Sequence, residues 1–386
     1  MKKKILFITG SRSEYYIQKP ILNELKKSKF LKPLLIVTGS HFSKKFGNTY
    51  KDILKDNFKI SAKINNLYVS DKFSSRLESM SLLLTQLTKY VKKIRPDCLV
   101  APYDREESIA MAIVGSYMNI PVAHLGAGDK TRYNIDGVIR HSVTKLSSIH
   151  FCSTKKNYDR VIKLGEEKWR VFNVGHTAAD RYKNFKKKTK AELLSLLNMD
   201  VDVKEPLILF IQHPVSNWLH HSKKNIKTSL NALDKINLPT IMIRSNSDPG
   251  TITFKNEIKN FKFSNKKTKY FENVEENLFL NIVNHASVLL GNSSMGVLES
   301  PLINLPVVNV GLRQKDRQNA GNIIFVKHNE KKIISALNKC IYDKIFLKKI
   351  RNNKNPYKNI GASKRIVNIL SKILLKKNIL NKKITY

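Results

Sequence analysis

Short uninterrupted apolar runs recur along the chain, each ending in glycine, serine or a charged residue and each followed by apolar positions at helical spacing. Runs without polar alternation mark strands buried on both faces, as a parallel sheet requires, and the helical stretches between them supply right-handed crossovers. Residues 5–9, 34–37, 98–101, 120–124, 149–153 and 171–175 predict the strands of a first α/β unit, with helices over 17–25, 77–91 and 109–117. From 183 to 205 the chain is basic and polar around one short amphipathic segment at 191–197, which predicts a linker. The strand pattern restarts at 207–211, 240–243, 286–290 and 305–311, so a second α/β unit is expected. The tail carries Ile366, Ile369, Leu370, Ile373 and Leu374 at helical spacing with lysines between. That pattern suits a basic amphipathic helix lying on a membrane surface or packing back on the protein, and packing is the simpler expectation for a terminal helix. The expected organisation is an N-terminal Rossmann-like domain over 1–182, a linker over 183–205, a C-terminal Rossmann-like domain over 206–362 and the tail helix over 363–386.

Composition narrows the function classes. At 386 residues and 41% hydrophobic the chain is long enough for two full cores. The three cysteines, Cys98, Cys152 and Cys340, have neither paired nor metal-type spacing, which argues for a reducing compartment such as the cytosol and against a zinc framework. No apolar run approaches the ~20 residues that span a bilayer. The net charge of +40 would ordinarily point to nucleic acid. Here the lysines are scattered through nearly every segment, not gathered with aromatics on one element, so no specific nucleic-acid surface is expected and the field serves anionic small molecules instead. A G-x-G-x-x-G fingerprint is absent after the first strand, which disfavours NAD.

Candidate chemistry collects at strand ends. The run at 286–290 leads into Gly291-Asn292-Ser293-Ser294 and a helix start, where backbone N–H groups and hydroxyls suit a phosphate. Glu299 lies about one and a half helical turns on and can accept from a ribose, while Arg313 follows the next strand. Arg12 follows the first strand, His213 the seventh, and Asp104 and Asp129 two adjacent strands; Asp136 and Arg140 share a helix face. Taken singly, Asn292 to Ser294 or Asp104 would cap a helix, and Asp136 with Arg140 would be a surface pair worth under ~1 kcal/mol. His124, His141, His150 and His176 read as structural, and Glu106 and Glu107 as first-turn helix carboxylates.

Several motifs in order lend these positions a shared meaning. Thr9-Gly10-Ser11-Arg12, Val37-Thr38-Gly39-Ser40-His41, Asp104-Arg105-Glu106-Glu107, Ile135-Asp136, Ile139-Arg140-His141, Thr144-Lys145-Leu146, Gln212-His213-Pro214, residues 291–301 and Arg313-Gln314-Lys315 span nearly the whole chain. In this set the chain resembles the hydrolysing UDP-N-acetylglucosamine 2-epimerases. The resemblance implies a glycosyltransferase-B-like fold of two Rossmann-like halves facing a cleft, UDP held by Asn292, Ser293, Ser294, Glu299 and Arg313, and Arg12 and His213 near the phosphates. It implies acid–base chemistry at Asp104, Asp129 and Asp136 with Arg140 beside them and His213 contributing, and a homo-oligomer, dimer or tetramer. The implied route is anti elimination of UDP to a 2-acetamidoglycal, then water addition with inversion at C2. No metal and no cofactor is required. The expected substrate is UDP-N-acetylglucosamine or its N,N'-diacetylbacillosamine analogue, as in sialic- or legionaminic-acid-type sugar biosynthesis. A glycosyltransferase of the same fold and a non-hydrolysing epimerase are the alternatives. Three positions depart from the family pattern: Gly126 stands where many members carry a carboxylate or histidine, Tyr103 replaces the usual glycine before Asp104, and Gly137 replaces an acidic residue beside Asp136.

Overall fold

The computed structural model describes residues 1–131, 134–183 and 185–386. It divides into two compact units, the first built on Met1–Lys130, Ile135–Arg181 and Asn359–Tyr386, the second on Tyr182–Lys358. Among the described residues the first unit carries a seven-stranded sheet. Its strands are β1 (Lys3–Thr9), β2 (Leu31–Val37), β3 (Ile60–Lys63), β4 (Cys98–Pro102), β5 (Val122–Leu125), β6 (Ile149–Cys152) and β7 (Val171–Asn173), in the order β3-β2-β1-β4-β5-β6-β7. The six-stranded sheet of the second unit holds β8 (Ile208–Ile211), β9 (Thr240–Ile243), β10 (Thr268–Phe271), β11 (Val288–Gly291), β12 (Val307–Val310) and β13 (Ile323–Val326), in the order β10-β9-β8-β11-β12-β13. All pairings are parallel.

The alternation of side chains along each strand feeds two helix layers. Ile5 and Phe7 of β1 join Leu22 and Leu25 of helix Arg12–Lys27 in one core, while Leu6 and Ile8 join Leu83, Leu87 and Val91 of helix Phe73–Ile94 in another. Helix Ala362–Ile373 belongs to the first of these layers: its Ile366, Leu370 and Ile373 are buried against helix Arg12–Lys27, so its apolar face looks into protein. Among the described residues no helix is long and apolar enough to cross a membrane. In the second unit Ile208 and Phe210 face helices Ser222–Ile236 and Glu330–Tyr342, and Leu209 and Ile211 face the opposite layer. Helix Lys190–Leu196, inside the segment read from sequence as a linker, contributes Leu193 and Leu194 to that opposite core. It begins with a capping box in which Thr189 and Glu192 satisfy each other's backbone N–H groups. Asn184 of the same segment lies outside the described residues.

Both sheets reverse strand order once, between β1 and β4 and between β8 and β11. At such a switch the loops leaving the two strands run in opposite directions and open a crevice beyond the carboxyl ends. The loops leaving those four strands carry Arg12, Asp104, His213 and Asn292 to Ser294.

Candidate functional site

In the first unit the sheet register sets the geometry. Pro102 of β4 pairs with Leu125 of β5, so the residues just beyond, Tyr103 with Asp104 and Gly126 with Ala127, leave the sheet side by side. Helix Asp136–Leu146 brings Arg140 to them. Arg140 is 3% exposed. Nη2 donates to Asp104 Oδ2, and Nη1 donates to Gly126 O at 3.1 Å and lies 3.5 Å from Asp129 Oδ2. Burial opposes the charge on Arg140, but Asp104, Asp129 and Asp136 together outweigh burial and hold its pKa above the ordinary arginine value. The far end of the helix is also tied down, since Lys382 Nζ donates to the carbonyls of Thr144, Lys145 and Ser147 at 3.2, 2.6 and 3.0 Å.

Asp104, Asp129 and Arg140 are thus brought together, with Asp129 Oδ1 accepting from Lys130 N at 2.8 Å. Asp136 sits at the start of its helix, and its carboxylate lies 4.0 Å from Arg76 Nη2, whose Nε pairs with Glu106. The four-residue spacing to Arg140 gives an electrostatic influence, while Arg140 spends its donors on Asp104 and Gly126. Arg12 opens helix Arg12–Lys27 at the end of β1; burial lowers its pKa and the neighbouring Arg181 adds to that, against Tyr16 and Asp52. His41 is fully buried between Thr9 Oγ1 at 3.0 Å and Thr49 Oγ1 at 2.8 Å, and burial pushes its pKa down to about 3, so it is a neutral brace under the β1 loop. His124 is similarly buried, with Nε2 donating to Tyr103 O at 2.8 Å.

A pair of carboxyls lies beneath the same loop, one of them Glu107, which the sequence assigned to a helix start. Glu14 accepts from Gly10 N at 2.6 Å and is 5% exposed, and Glu107, also 5% exposed, reaches the space over Gly10. Burial, and then the charge on Glu107, raise the Glu14 pKa well above the ordinary carboxylate value. A carboxyl whose pKa is raised on folding stabilises the fold fully below its unfolded pKa, near 4.5, and that contribution is lost as pH rises through the folded pKa. Glu14→Gln, which keeps the acceptor and cannot ionise, is therefore expected to gain stability relative to the parent between pH 5 and pH 8. Melting curves at both pH values check it; an identical difference at the two would sink the assignment.

In the second unit β8 and β11 approach so closely that a Cβ at Gly291, whose φ is +137°, would lie 2.0 Å from Ile211 O. Only glycine fits that contact. The next residue, Asn292, accepts from His213 N at 2.6 Å and donates to His213 O at 2.9 Å, so its amide clamps the two loops together. His213 Nδ1 lies 3.1 Å from Asn246 Oδ1, Asn246 donates to Asp248 at 2.7 Å, and Asp248 lies 3.9 Å from Arg313 Nη2. Arg313 Nη1 and Gln314 Nε2 donate to Asn292 O at 3.2 and 3.0 Å. His213, Asn292 and Arg313 therefore share one corner. Glu299, 6% exposed, accepts from the Tyr182 hydroxyl at 3.0 Å.

The helix expected after Ser294 is only Met295–Leu298, followed by a 3-10 turn over Ser300–Ile303. Ser300 Oγ donates to Gly296 O at 2.6 Å, and the Pro301 ring, which lacks an N–H, follows. So short a helix has little macrodipole, and the anion-attracting groups of this corner are the loop N–H groups, the Ser293 and Ser294 hydroxyls and the Arg313 guanidinium. Asn246, Asp248 and Tyr182 were missed from sequence. The polar run after β9 was visible, but nothing local ties it to His213, and Tyr182 lies far along the chain from Glu299.

The sequence matches the UDP-N-acetylglucosamine 2-epimerase family over residues 23–371. It is 36% identical over 331 residues to the GDP/UDP-N,N'-diacetylbacillosamine 2-epimerase (hydrolyzing) of Campylobacter jejuni, covering 85% of each chain. It is 30% identical over 382 residues to the UDP-N,N'-diacetylbacillosamine 2-epimerase (hydrolyzing) of Legionella pneumophila, covering 99% of each. The crystal structure of UDP-GlcNAc 2-epimerase from Neisseria meningitidis bound to UDP-GlcNAc superposes with a TM-score of 0.80 at 20% identity, over 96% of this chain and 100% of that one, a likeness of fold. By the extent of the family match and the identity to these relatives, the chain belongs to the UDP-N-acetylglucosamine 2-epimerase family.

Proposed function

We propose that the chain is a hydrolysing 2-epimerase that converts a UDP-activated 2-acetamido sugar to UDP and the free manno-configured sugar, with UDP-N,N'-diacetylbacillosamine as the preferred substrate. The substrate choice rests on the similarity to the Campylobacter and Legionella relatives, which are named for that substrate. The observation that carries the chemistry is the buried Arg140 between Asp104 and Asp129 at the carboxyl ends of β4 and β5.

The reaction asks for two things. A base must take the weakly acidic C2 proton while the C1–O bond to UDP breaks on the opposite face, giving a 2-acetamidoglycal; water then adds at C1 and a proton returns to C2 from the other side. Carboxylates fixed by one guanidinium suit such proton transfers because their positions cost no reorganisation as the reaction proceeds. Asp104, Asp129 and Asp136 are the proton carriers in this reading, and Arg140 orients the first two. Departure of UDP needs positive charge and hydrogen-bond donors at the diphosphate, which Arg313, His213, Ser293 and Ser294 supply. Glu299 takes the ribose hydroxyls and Asn292 keeps the loop in shape.

A time course by NMR in D2O, with UDP-N-acetylglucosamine and separately UDP-N,N'-diacetylbacillosamine and no acceptor, tests this. Free UDP together with a C2-deuterated manno sugar is expected, faster from the second compound. Retention of UDP on the product would identify a non-hydrolysing epimerase, and a requirement for an acceptor would identify a glycosyltransferase. Arg313→Ala is expected to weaken UDP binding by about 10- to 100-fold, the worth of a charge-assisted hydrogen bond. Titration calorimetry measures it, and an unchanged Kd would remove Arg313 from the nucleotide site.

A further inference from the structure

We infer that Tyr103 is a positioning residue for the acid cluster and that its ring occupies the space a side chain at position 126 would take; the inference rests on the epimerase reading above. Tyr103 turns the chain at the end of β4 with a φ of 60°, in the left-handed region. A residue with a Cβ adopts that conformation at a cost of roughly 1 kcal/mol or more, so the surroundings must enforce it. Four contacts do so. Its N–H donates to Leu125 O at 3.0 Å and its carbonyl accepts from His124 Nε2 at 2.8 Å. Its hydroxyl is 2.9 Å from Thr177 Oγ1, and its ring centroid is 5.6 Å from that of His176.

Gly126 completes the enclosure. A Cβ there would lie 2.4 Å from Cδ1 and 2.8 Å from Cε1 of the Tyr103 ring, so the ring and any side chain at 126 exclude each other. The backbone of Gly126 is not passive, because its carbonyl accepts from the same Arg140 guanidinium that holds Asp104. Tyr103 therefore touches the cluster from both ends: it precedes Asp104 in the chain, and its ring packs over the peptide that fixes Arg140. Tyr103 and Gly126 are therefore one structural unit, the ring of the first standing where a side chain at the second would go. Because the ring sets where Asp104 stands and does not hold the nucleotide, its loss shows in kcat and not in KM.

The test uses four variants of the full chain: Tyr103→Phe, Tyr103→Gly, Gly126→Asn and the double Tyr103→Gly with Gly126→Asn. Asparagine is chosen because it tolerates the left-handed backbone at 126, where φ is +73°. Parent turnover is measured first; if the parent releases no UDP from either sugar nucleotide, the epimerase reading fails and the positioning role fails with it. Given turnover, Tyr103→Gly is expected to lose about 10- to 100-fold in kcat, as a misplaced catalytic group does, with KM within about threefold. Tyr103→Phe keeps the ring and should stay within about fivefold of the parent, the cost of one hydrogen bond. Gly126→Asn should lower kcat and melting temperature in the parent and neither in the Tyr103→Gly background. Melting temperature and UDP affinity distinguish a misfolded variant from a mispositioned acid. Retention of parental kcat by Tyr103→Gly, or an equal cost of Gly126→Asn with and without the ring, would overturn the inference while leaving the epimerase reading in place.

Discussion

Replacing Arg140 with methionine is expected to abolish turnover and to lower the unfolding free energy by about 3–5 kcal/mol. Arg140 is 3% exposed and its guanidinium faces both Asp104 and Asp129, so its removal takes from the two carboxylates the cation they share. It also strips the Gly126 carbonyl of its donor, adding the cost of an unmade buried hydrogen bond. Arg140→Lys is the informative companion: an ammonium restores charge and part of the stability, but a point charge does not span Asp104 and Gly126 O as the planar fork does, so activity stays low. Urea unfolding and the UDP-release assay together check both. A methionine variant within about 1 kcal/mol of the parent would show that the cluster is not a buried charge system at all.

Asp104→Asn is expected to lower kcat by about a thousandfold, in the range that positioned acid–base groups contribute, with UDP affinity unchanged. The amide preserves shape and can still accept from Arg140, so the fold survives; what is lost is the capacity to take or return a proton. Stability within about 1 kcal/mol of the parent, alongside the collapse in kcat, separates this variant from Arg140→Met. Turnover within tenfold of the parent would take Asp104 out of the chemistry and leave Asp129 and Asp136 to divide it. Release of the 2-acetamidoglycal together with UDP by the residual activity would place the slowed step at the later hydration, and a primary isotope effect with C2-deuterated substrate would place it at proton abstraction.

The contrast between these residues indicates how far the chain could be read. The burial of Ile5 to Ile8 on both faces, and the repetition of that pattern through both units, needed no more than the hydrophobic sequence, because only a sandwiched parallel strand accommodates an uninterrupted apolar run. The segment 183–205 was harder. Lysines crowd its first eight residues, yet Leu193 and Leu194 just beyond are buried, and a short amphipathic turn carries too few periods to separate a core helix from a linker. The helix after Ser294 is shorter than its sequence suggests for a related reason: Ser300 and Pro301 end it after one turn, and a strand-to-helix pattern on its own does not fix helix length.

The sequence by itself determined the two parallel α/β units and placed Arg12, Asp104, His213 and Asn292 at strand ends, since strand polarity and parallel pairing follow from local pattern and crossover length. It also carried the family, through motifs whose order survives in the chain. Only the tertiary structure decided the partnerships. Arg140 pairs with Asp104, from a loop 36 residues away, and not chiefly with Asp136 one helical turn before it. Asn292 spends its amide on the backbone of His213, and the Tyr103 ring stands where Gly126 has no side chain. Each of these is a choice among several chemically equivalent partners, and a one-dimensional pattern ranks partners by spacing along one element. Register between neighbouring strands and the angle at which a helix meets them settle which atoms come within hydrogen-bond reach.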